Sequence, residues 1–272
     1  MQAAKLPQAK KRFGQNFLVQ PAIVARIVSV IAPQARDALL EIGPGPGALT
    51  EALLSANDRG TEPLRVIELD RDLLPRLRAL APVERLQIIA GDALQVDYRH
   101  LAEEIGRPLR VLGNLPYNIS TPLIFHLLAQ IDVIEDMHFM LQKEVADRIV
   151  AGPGDAAFGR LSLMVQAQAQ AEILFPVAPG NFRPVPKVDS AFLRLTPHRP
   201  PRLSRPLLEP FAQVVSRAFA QRRKTLANNF KGVCDSAMLE ALDISPSARA
   251  ETLDFAAFQR LAEALAQKGA TS

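Results

Sequence analysis

The sequence predicts an α/β fold: a largely parallel sheet with helices on both faces, followed by a small all-helical domain. Three observations predict it. Between about residues 38 and 142, short apolar runs alternate with stretches of helical spacing. A proline-rich stretch at residues 196–206 then breaks the pattern. Beyond it, apolar residues recur only at helical intervals.

The strands are expected at Ala38–Ile42, Leu64–Leu69, Leu86–Ala90, Arg110–Leu112 and Met137–Leu141. Between them, Leu49, Leu53 and Leu54 share one helix face, and Leu73, Leu74, Leu77 and Leu80 another. Phe192, Leu193 and Leu195 suggest a late strand returning antiparallel to the sheet. Residues 196–206 hold four prolines in eleven positions, which no helix or central strand tolerates. Leu207, Leu208, Phe211, Val214, Val215, Ala218 and Phe219 then fall at helical spacing, and Leu242 and Leu253 through Leu265 imply further helices. The expected organisation is a basic N-terminal segment with a first helix (1–36), a Rossmann-like domain (37–200) and a helical domain (201–272).

Composition narrows the functional classes. With 48% apolar residues in 272, a sizeable core can form. The one cysteine, Cys234, excludes an intrachain disulfide and fits a reducing cytoplasm. No run resembles a signal peptide or a membrane span, so the expectation is a cytoplasmic protein without a membrane partner, acting as a monomer. The net charge of +4 is unevenly placed. Residues 1–36 carry six Lys/Arg and no acid, and residues 202–231 carry seven against Glu209 alone. Two basic flanks around an acidic middle are the footprint of a polyanion binder; the same charges would also serve as solvated faces.

The strongest local motif is Glu41-Ile-Gly43-Pro-Gly45-Pro-Gly47, placed between a strand and a helix. Glycines there let the backbone turn sharply and approach a ligand. Glu68 ends the next strand, 21 residues after Gly47, where a carboxylate can accept both hydroxyls of a ribose. Asp92 ends the third strand, placed to accept from an adenine amine, and Asn114 ends the fourth. Polar groups therefore line one edge of the sheet, where ligands of open α/β folds bind. The glycine spacing is not the G-x-G-x-x-G that holds a pyrophosphate. An acid before the first glycine instead suits a cationic amino-acid moiety, which points to S-adenosylmethionine, with Gly43 and Gly45 in the cradle.

Asn114-Leu115-Pro116-Tyr117 follows the fourth strand. An adenine amine is a poor nucleophile, because its lone pair is delocalised into the ring. A site that methylates it must accept its N–H groups and let the nitrogen become tetrahedral. The Asn114 side-chain oxygen and the Leu115 carbonyl supply two acceptors, and Pro116 holds Leu115 extended. Tyr117 offers a face for stacking. The sulfonium already activates the methyl, so no metal is required. Phe182, in a Pro-rich loop, is expected to close over the other face of the base; packing on the core is the alternative.

Nearly the whole chain resembles the bacterial small-subunit (16S) ribosomal RNA adenine dimethyltransferases. The resemblance is carried by Phe13-Gly-Gln-Asn-Phe-Leu18, the Glu41–Gly47 motif, Val66-Ile-Glu-Leu-Asp70, Gly91-Asp-Ala-Leu94, Gly113-Asn-Leu-Pro-Tyr-Asn-Ile-Ser120, Phe182-Arg-Pro-Val-Pro-Lys-Val-Asp-Ser190 and Gln221-Arg-Arg-Lys-Thr-Leu226. It implies a Rossmann-like S-adenosylmethionine-dependent methyltransferase fold, with Asn16, Leu18, Gly43, Glu68, Asp92 and Asn114 contacting the cofactor. It further implies two methyls on the amine of each of two adjacent adenines near the RNA 3′ end, within an immature small subunit, with S-adenosylhomocysteine as product.

Arg217, Gln221, Lys224 and Asn228 would form one polar stripe if their helix is continuous, with Arg222 and Arg223 beside it. Lys10, Lys11 and Arg12 would add an N-terminal RNA clamp. Two other functions share these features: a large-subunit (23S) rRNA adenine dimethyltransferase, and a non-catalytic ribosome-assembly factor. The Phe182–Ser190 and Gln221–Leu226 segments favour the small-subunit family, and the intact Asn114–Tyr117 motif argues against a purely non-catalytic role.

Overall fold

A computed structural model describes residues 7–10, 13–57 and 60–270. The chain divides into two compact units, residues 1–146 with 172–197 and residues 147–171 with 198–272.

The first unit is built on the predicted α/β pattern. After the short strand β1 (Phe17–Leu18), helix α1 (Pro21–Ile31) starts on a proline, whose fixed φ suits the first helical turn. Then follow β2 (Ala38–Ile42), α2 (Ala48–Ala56), β3 (Leu64–Glu68), α3 (Leu74–Arg78), β4 (Leu86–Ala90), α4 (Tyr98–Ile105), β5 (Leu109–Asn114), α5 (Ser120–Leu128) and β6 (Ile134–Gln142). Every residue of β2 is buried, as expected of a central strand covered on both faces. Parallel pairing joins β4 to β3, β3 to β2, β2 to β5 and β5 to β6. The order reverses between β2 and β5, which is the switch point where ligands of such sheets bind. Close approach there explains Gly113: a Cβ would stand 2.4 Å from the Ile42 carbonyl oxygen.

Two strands complete the seven-stranded sheet. β9 (Ser190–Pro197) pairs antiparallel with β6, as expected, and β7 (Ala169–Val177) adds beyond it. The sequence pattern does not indicate β7. Pro176 lies inside it, and a proline fits a strand only where a backbone donor is not needed, as at a sheet edge. Also unforeseen is a miniature sheet in which Leu18 of β1 pairs with Phe182 of β8 (Phe182–Arg183). Two-residue strands carry no readable alternation.

The second unit is helical: α6 (Lys143–Val150) leads into it, followed by α7 (Arg160–Gln166), α8 (Arg205–Ala218), α9 (Leu226–Asn229), α10 (Ser236–Ala241) and α11 (Phe255–Ala270). Residues 147–171, which include the first residues of β7, group with this unit, and the described residues before Asp37 group with the other. The reason is packing. Phe158 meets Phe219 edge-on at 6.1 Å, the Gly154 N–H donates to the Glu251 carbonyl at 2.8 Å, and Arg222 donates to the Ala156 carbonyl at 2.5 Å. Phe211, Phe230 and Phe258 are fully buried in this unit.

A candidate cofactor and methyl-transfer cleft

A cleft of about 300 Å³ opens at the carboxyl ends of β2, β3, β4 and β5. Gly43, Gly45, Glu68, Asp92, Asn114, Leu115, Pro116 and Tyr117 line it, together with Asn16 from the N-terminal segment. Positions predicted from sequence at four successive strand ends thus meet in one place.

The glycine loop forms one wall. Gly43, Gly45 and Gly47 all adopt positive φ, which glycine adopts without strain. At Gly45 a Cβ would also stand 3.1 Å from the Phe17 ring. The loop is closed from behind by Glu41, whose Oε2 accepts from the Thr50 hydroxyl at 2.7 Å. The motif predicts that Glu41 meets a cationic ligand group. It lines a smaller cavity instead, shared with Gly43, Pro44, Gly45 and Asn114, and is only 2% exposed. Burial pushes its carboxyl up to about 7, against the Thr50 bond, and the charge of Glu68 adds to the rise.

Glu68 is the buried acid of the cleft. Its Oε2 accepts from the Gly45 N–H at 3.1 Å and its Oε1 from the Asp70 N–H at 2.8 Å. Burial raises its pKa above the ordinary carboxylate value, while these N–H groups pull it back. The Leu69 N–H also bonds the carboxylate, so three of its four lone-pair sites meet the backbone, and the remaining acceptor capacity is what a ribose hydroxyl would use.

Asp92 is placed by the turn it caps. Its Oδ1 accepts from the Leu94 N–H at 2.9 Å, and the Tyr98 hydroxyl fixes the same turn by donating to the Ala93 carbonyl at 2.9 Å. One carboxylate oxygen of Asp92 therefore serves the fold and the other is available to a ligand.

Asn114 shows the same division. Its Nδ2 donates to the Asn16 carbonyl at 2.8 Å. A carbonyl can only accept, so this contact fixes the amide orientation and leaves Oδ1 as the atom for a substrate N–H. The Leu115 N–H is held by the Met140 carbonyl at 3.2 Å, and the Pro116 carbonyl takes the N–H groups of Ile119 and Ser120 at the start of α5. The tetrad is thereby pinned at both ends. Tyr117 is partly buried against the cleft, and burial raises its phenol pKa.

Several expected site residues fall elsewhere. Phe182 is 1% exposed and belongs to the hydrophobic core with Leu18, Val24 and Phe192. It does not cover the cleft: burying a phenylalanine side chain is favourable by about 1.5–3 kcal/mol, and its pairing with Leu18 points it inward. Leu18 itself is 6% exposed in that core and outside the main cleft, because an apolar side chain on a strand facing the core is driven there. The polar stripe is not continuous. Helix α8 ends at Ala218, and Gln221, Lys224 and Asn228 lie on the turns and short helix that follow. Arg217 donates to the carbonyls of Asn229 and Lys231 at 2.9 and 3.2 Å, and Arg222 bonds Glu251 at 2.8 Å. Arg223 and Lys224 are exposed. Lys10 pairs with Asp70 and Asp72 at 2.5 Å each, while Lys11 and Arg12 lie outside the described residues.

Sequence spacing does not single out Asp70 or Gln15 as parts of the site. Asp70 supports Glu68 through its N–H and accepts from the Gln15 side chain at 3.2 Å. The signal is an acid two residues beyond Glu68, which only the turn shows to be a partner.

The family model for ribosomal RNA adenine dimethylase matches residues 7–267. The chain is 60% identical over 269 residues to ribosomal RNA small subunit methyltransferase A of Acidithiobacillus ferrooxidans, covering 99% of each, and 53% identical to that of Pseudomonas aeruginosa, covering 96% of each. Among solved structures it is similar to a dimethyladenosine transferase from Plasmodium falciparum, with a TM-score of 0.78 and 26% identity over 93% of this chain and 98% of that one. It is also similar to the 23S rRNA methyltransferase ErmE, with a TM-score of 0.70 and 26% identity over 93% of this chain and all of that one. The glycine loop, the strand-end acids and the Asn114 tetrad thus stand on a chain that belongs to the ribosomal RNA adenine dimethylase family.

Proposed function

We propose that this enzyme moves methyl groups from S-adenosylmethionine to the N6 amine of two adjacent adenosines near the 3′ end of 16S rRNA, within an immature small subunit, giving N6,N6-dimethyladenosine and S-adenosylhomocysteine. The observation that carries the reading is the fixed Asn114 amide, whose Oδ1 is left facing a cleft that also holds Glu68 and Asp92.

The cofactor supplies an activated methyl on its sulfonium, which makes metal assistance unnecessary. The chain's own residues position and accept. Glu68 accepts the ribose hydroxyls, and Asp92 accepts from the cofactor's adenine amine. The glycine loop makes room for the amino-acid end. At the other end of the cleft, Asn114 Oδ1 and the Leu115 carbonyl accept the two N–H groups of the target amine in the first transfer and the one that remains in the second. In each, the N–C bond forms as the S–C bond breaks, and the nitrogen gives up one proton to solvent. Both acceptors pull the nitrogen out of conjugation as it becomes tetrahedral, so they hold the transition state more tightly than the planar ground state. Tyr117 stacks on the target base, an interaction worth about 1–3 kcal/mol. In the second unit, the exposed Arg223 and Lys224 are read as phosphate contacts, and the chain is read as a cytoplasmic monomer.

A large-subunit substrate is the alternative raised by the likeness to the 23S enzyme, but that likeness is at 26% identity, against 60% and 53% for the small-subunit relatives. The discriminating experiment is radiolabelled methyl transfer to small and large subunits purified from a strain lacking the enzyme. Incorporation into the small subunit alone, recovered as dimethyladenosine, is expected. Label in the large subunit, or none in either, would overturn the assignment.

A further inference from the structure

Residues 13–17 line the cleft as a strap, and the chain is fastened differently at Lys10 on one side and at Leu18–Val19 on the other. Phe13, Gln15, Asn16 and Phe17 line the cleft wall. At the far end, the strap is tied by backbone bonds: Leu18 pairs with Phe182, and the Val19 N–H donates to the Asn181 carbonyl at 2.9 Å. At the near end the tie is ionic. The Lys10 ammonium meets Asp70 and Asp72 at 2.5 Å each, and the Lys10 N–H donates to the Gln15 side chain at 2.8 Å. Gln15 donates in turn to Asp70 at 3.2 Å.

Asp70 is where this tie reaches the site. Its side chain is 4% exposed, whereas that of Asp72 is 78% exposed. Exposed ion pairs contribute little, but a nearly buried carboxylate depends on its partner. The Asp70 backbone N–H also holds Glu68 Oε1, the acid assigned to the ribose. On the strap side, the Asn16 carbonyl fixes the Asn114 amide. Loosening the near end therefore acts on both sides of the cofactor edge.

We propose that Lys10 is a positioning residue: its ion pairs with Asp70 and Asp72 clasp the strap against the cleft and set the rate at which the cofactor leaves. This rests on the S-adenosylmethionine reading above. A backbone tie is indifferent to salt and an ion pair is not, so the clasp makes cofactor release depend on ionic strength.

The test uses the full chain, with S-adenosylhomocysteine release followed by stopped-flow at low and high salt, and hydrogen exchange over residues 13–18 in the cofactor-free protein. Wild-type release should quicken with salt. Lys10→Ala should release at least about fivefold faster at low salt, at a rate nearly independent of salt, and Lys10→Arg should restore most of the wild-type behaviour. Exchange over 13–18 should quicken in Lys10→Ala alone. Wild-type release and exchange in a folded Lys10→Ala protein would overturn the clasp. Should the wild type fail to bind S-adenosylhomocysteine, the cofactor reading falls, and the exchange data still decide whether Lys10 fastens the strap.

Discussion

The cleft edge and the basic turn after α8 treat their polar groups in opposite ways. At the cleft, Glu68, Asp92 and Asn114 each give part of their hydrogen-bonding capacity to the backbone and retain part for a ligand. Arg217, at the end of α8, and Arg222, in the turn, direct their guanidinium groups at the chain's own carbonyls and at Glu251. The first arrangement is preorganised: the group is held, and an acceptor remains. The second is structural: Arg217 and Arg222 are exposed, as Arg223 and Lys224 are, but their guanidinium groups are turned onto the chain itself. A charged residue in a basic segment therefore does not touch a ligand by virtue of its charge; what matters is which of its atoms the fold has already taken.

Three sets of substitutions test that contrast, and the largest effect belongs to Asn114. Replacing it with Ala removes the Oδ1 acceptor and the bond to Asn16, and methyl transfer should fall on the order of a hundredfold or more while small-subunit binding persists. Single-turnover rates at saturating subunit would check it, and a rate near wild type would remove Asn114 from the chemistry. Glu68→Ala should weaken S-adenosylmethionine binding at least about tenfold by calorimetry, since it deletes charge-assisted bonds worth roughly 1.5–3 kcal/mol each. Unchanged affinity in a folded variant would mean that the ribose lies elsewhere.

The smallest effects separate the two kinds of arginine. Arg222→Ala should lower thermal stability modestly, by about 1 kcal/mol or less, because it removes a partly exposed ion pair and a bond to Ala156. Arg223→Ala with Lys224→Ala should leave stability unchanged and flatten the slope of log affinity against log salt for subunit binding. The slope should change by up to about 0.7–0.9 for each phosphate that is no longer neutralised. The reverse pattern, a salt slope moved by Arg222 and not by the pair, would make the turn's internal bonds incidental.

How far the sequence can be read follows the range of the interaction involved. The strands β2, β3 and β4 begin where the apolar runs do; β2 is buried at every position, as a central strand covered on both faces must be, while β4, at the sheet edge, keeps only Leu86 buried. The cleft acids are legible because a strand end followed by a turn fixes where a side chain points. The stripe through Arg217 is not, because its spacing assumes a helix that in fact stops at Ala218. Phe182 misleads for a related reason: Pro-rich flanks suggest an exposed loop, whereas a two-residue pairing with Leu18 carries the ring into the core.

The sequence by itself determined the α/β order, the edge of the sheet where the cleft opens, and the residues Gly43, Gly45, Glu68, Asp92 and Asn114 through Tyr117 that line it, because each is set by local backbone geometry at a strand end. Only the tertiary structure decided that the Asn114 amide nitrogen is spent on the Asn16 carbonyl and that the Glu41 carboxylate is spent on the Thr50 hydroxyl. It alone brought Lys10 to Asp70 across 60 residues and grouped residues 147–171 with the C-terminal helices. These are meetings of groups far apart in the chain, and no local spacing encodes which donor will find which acceptor once the core has closed.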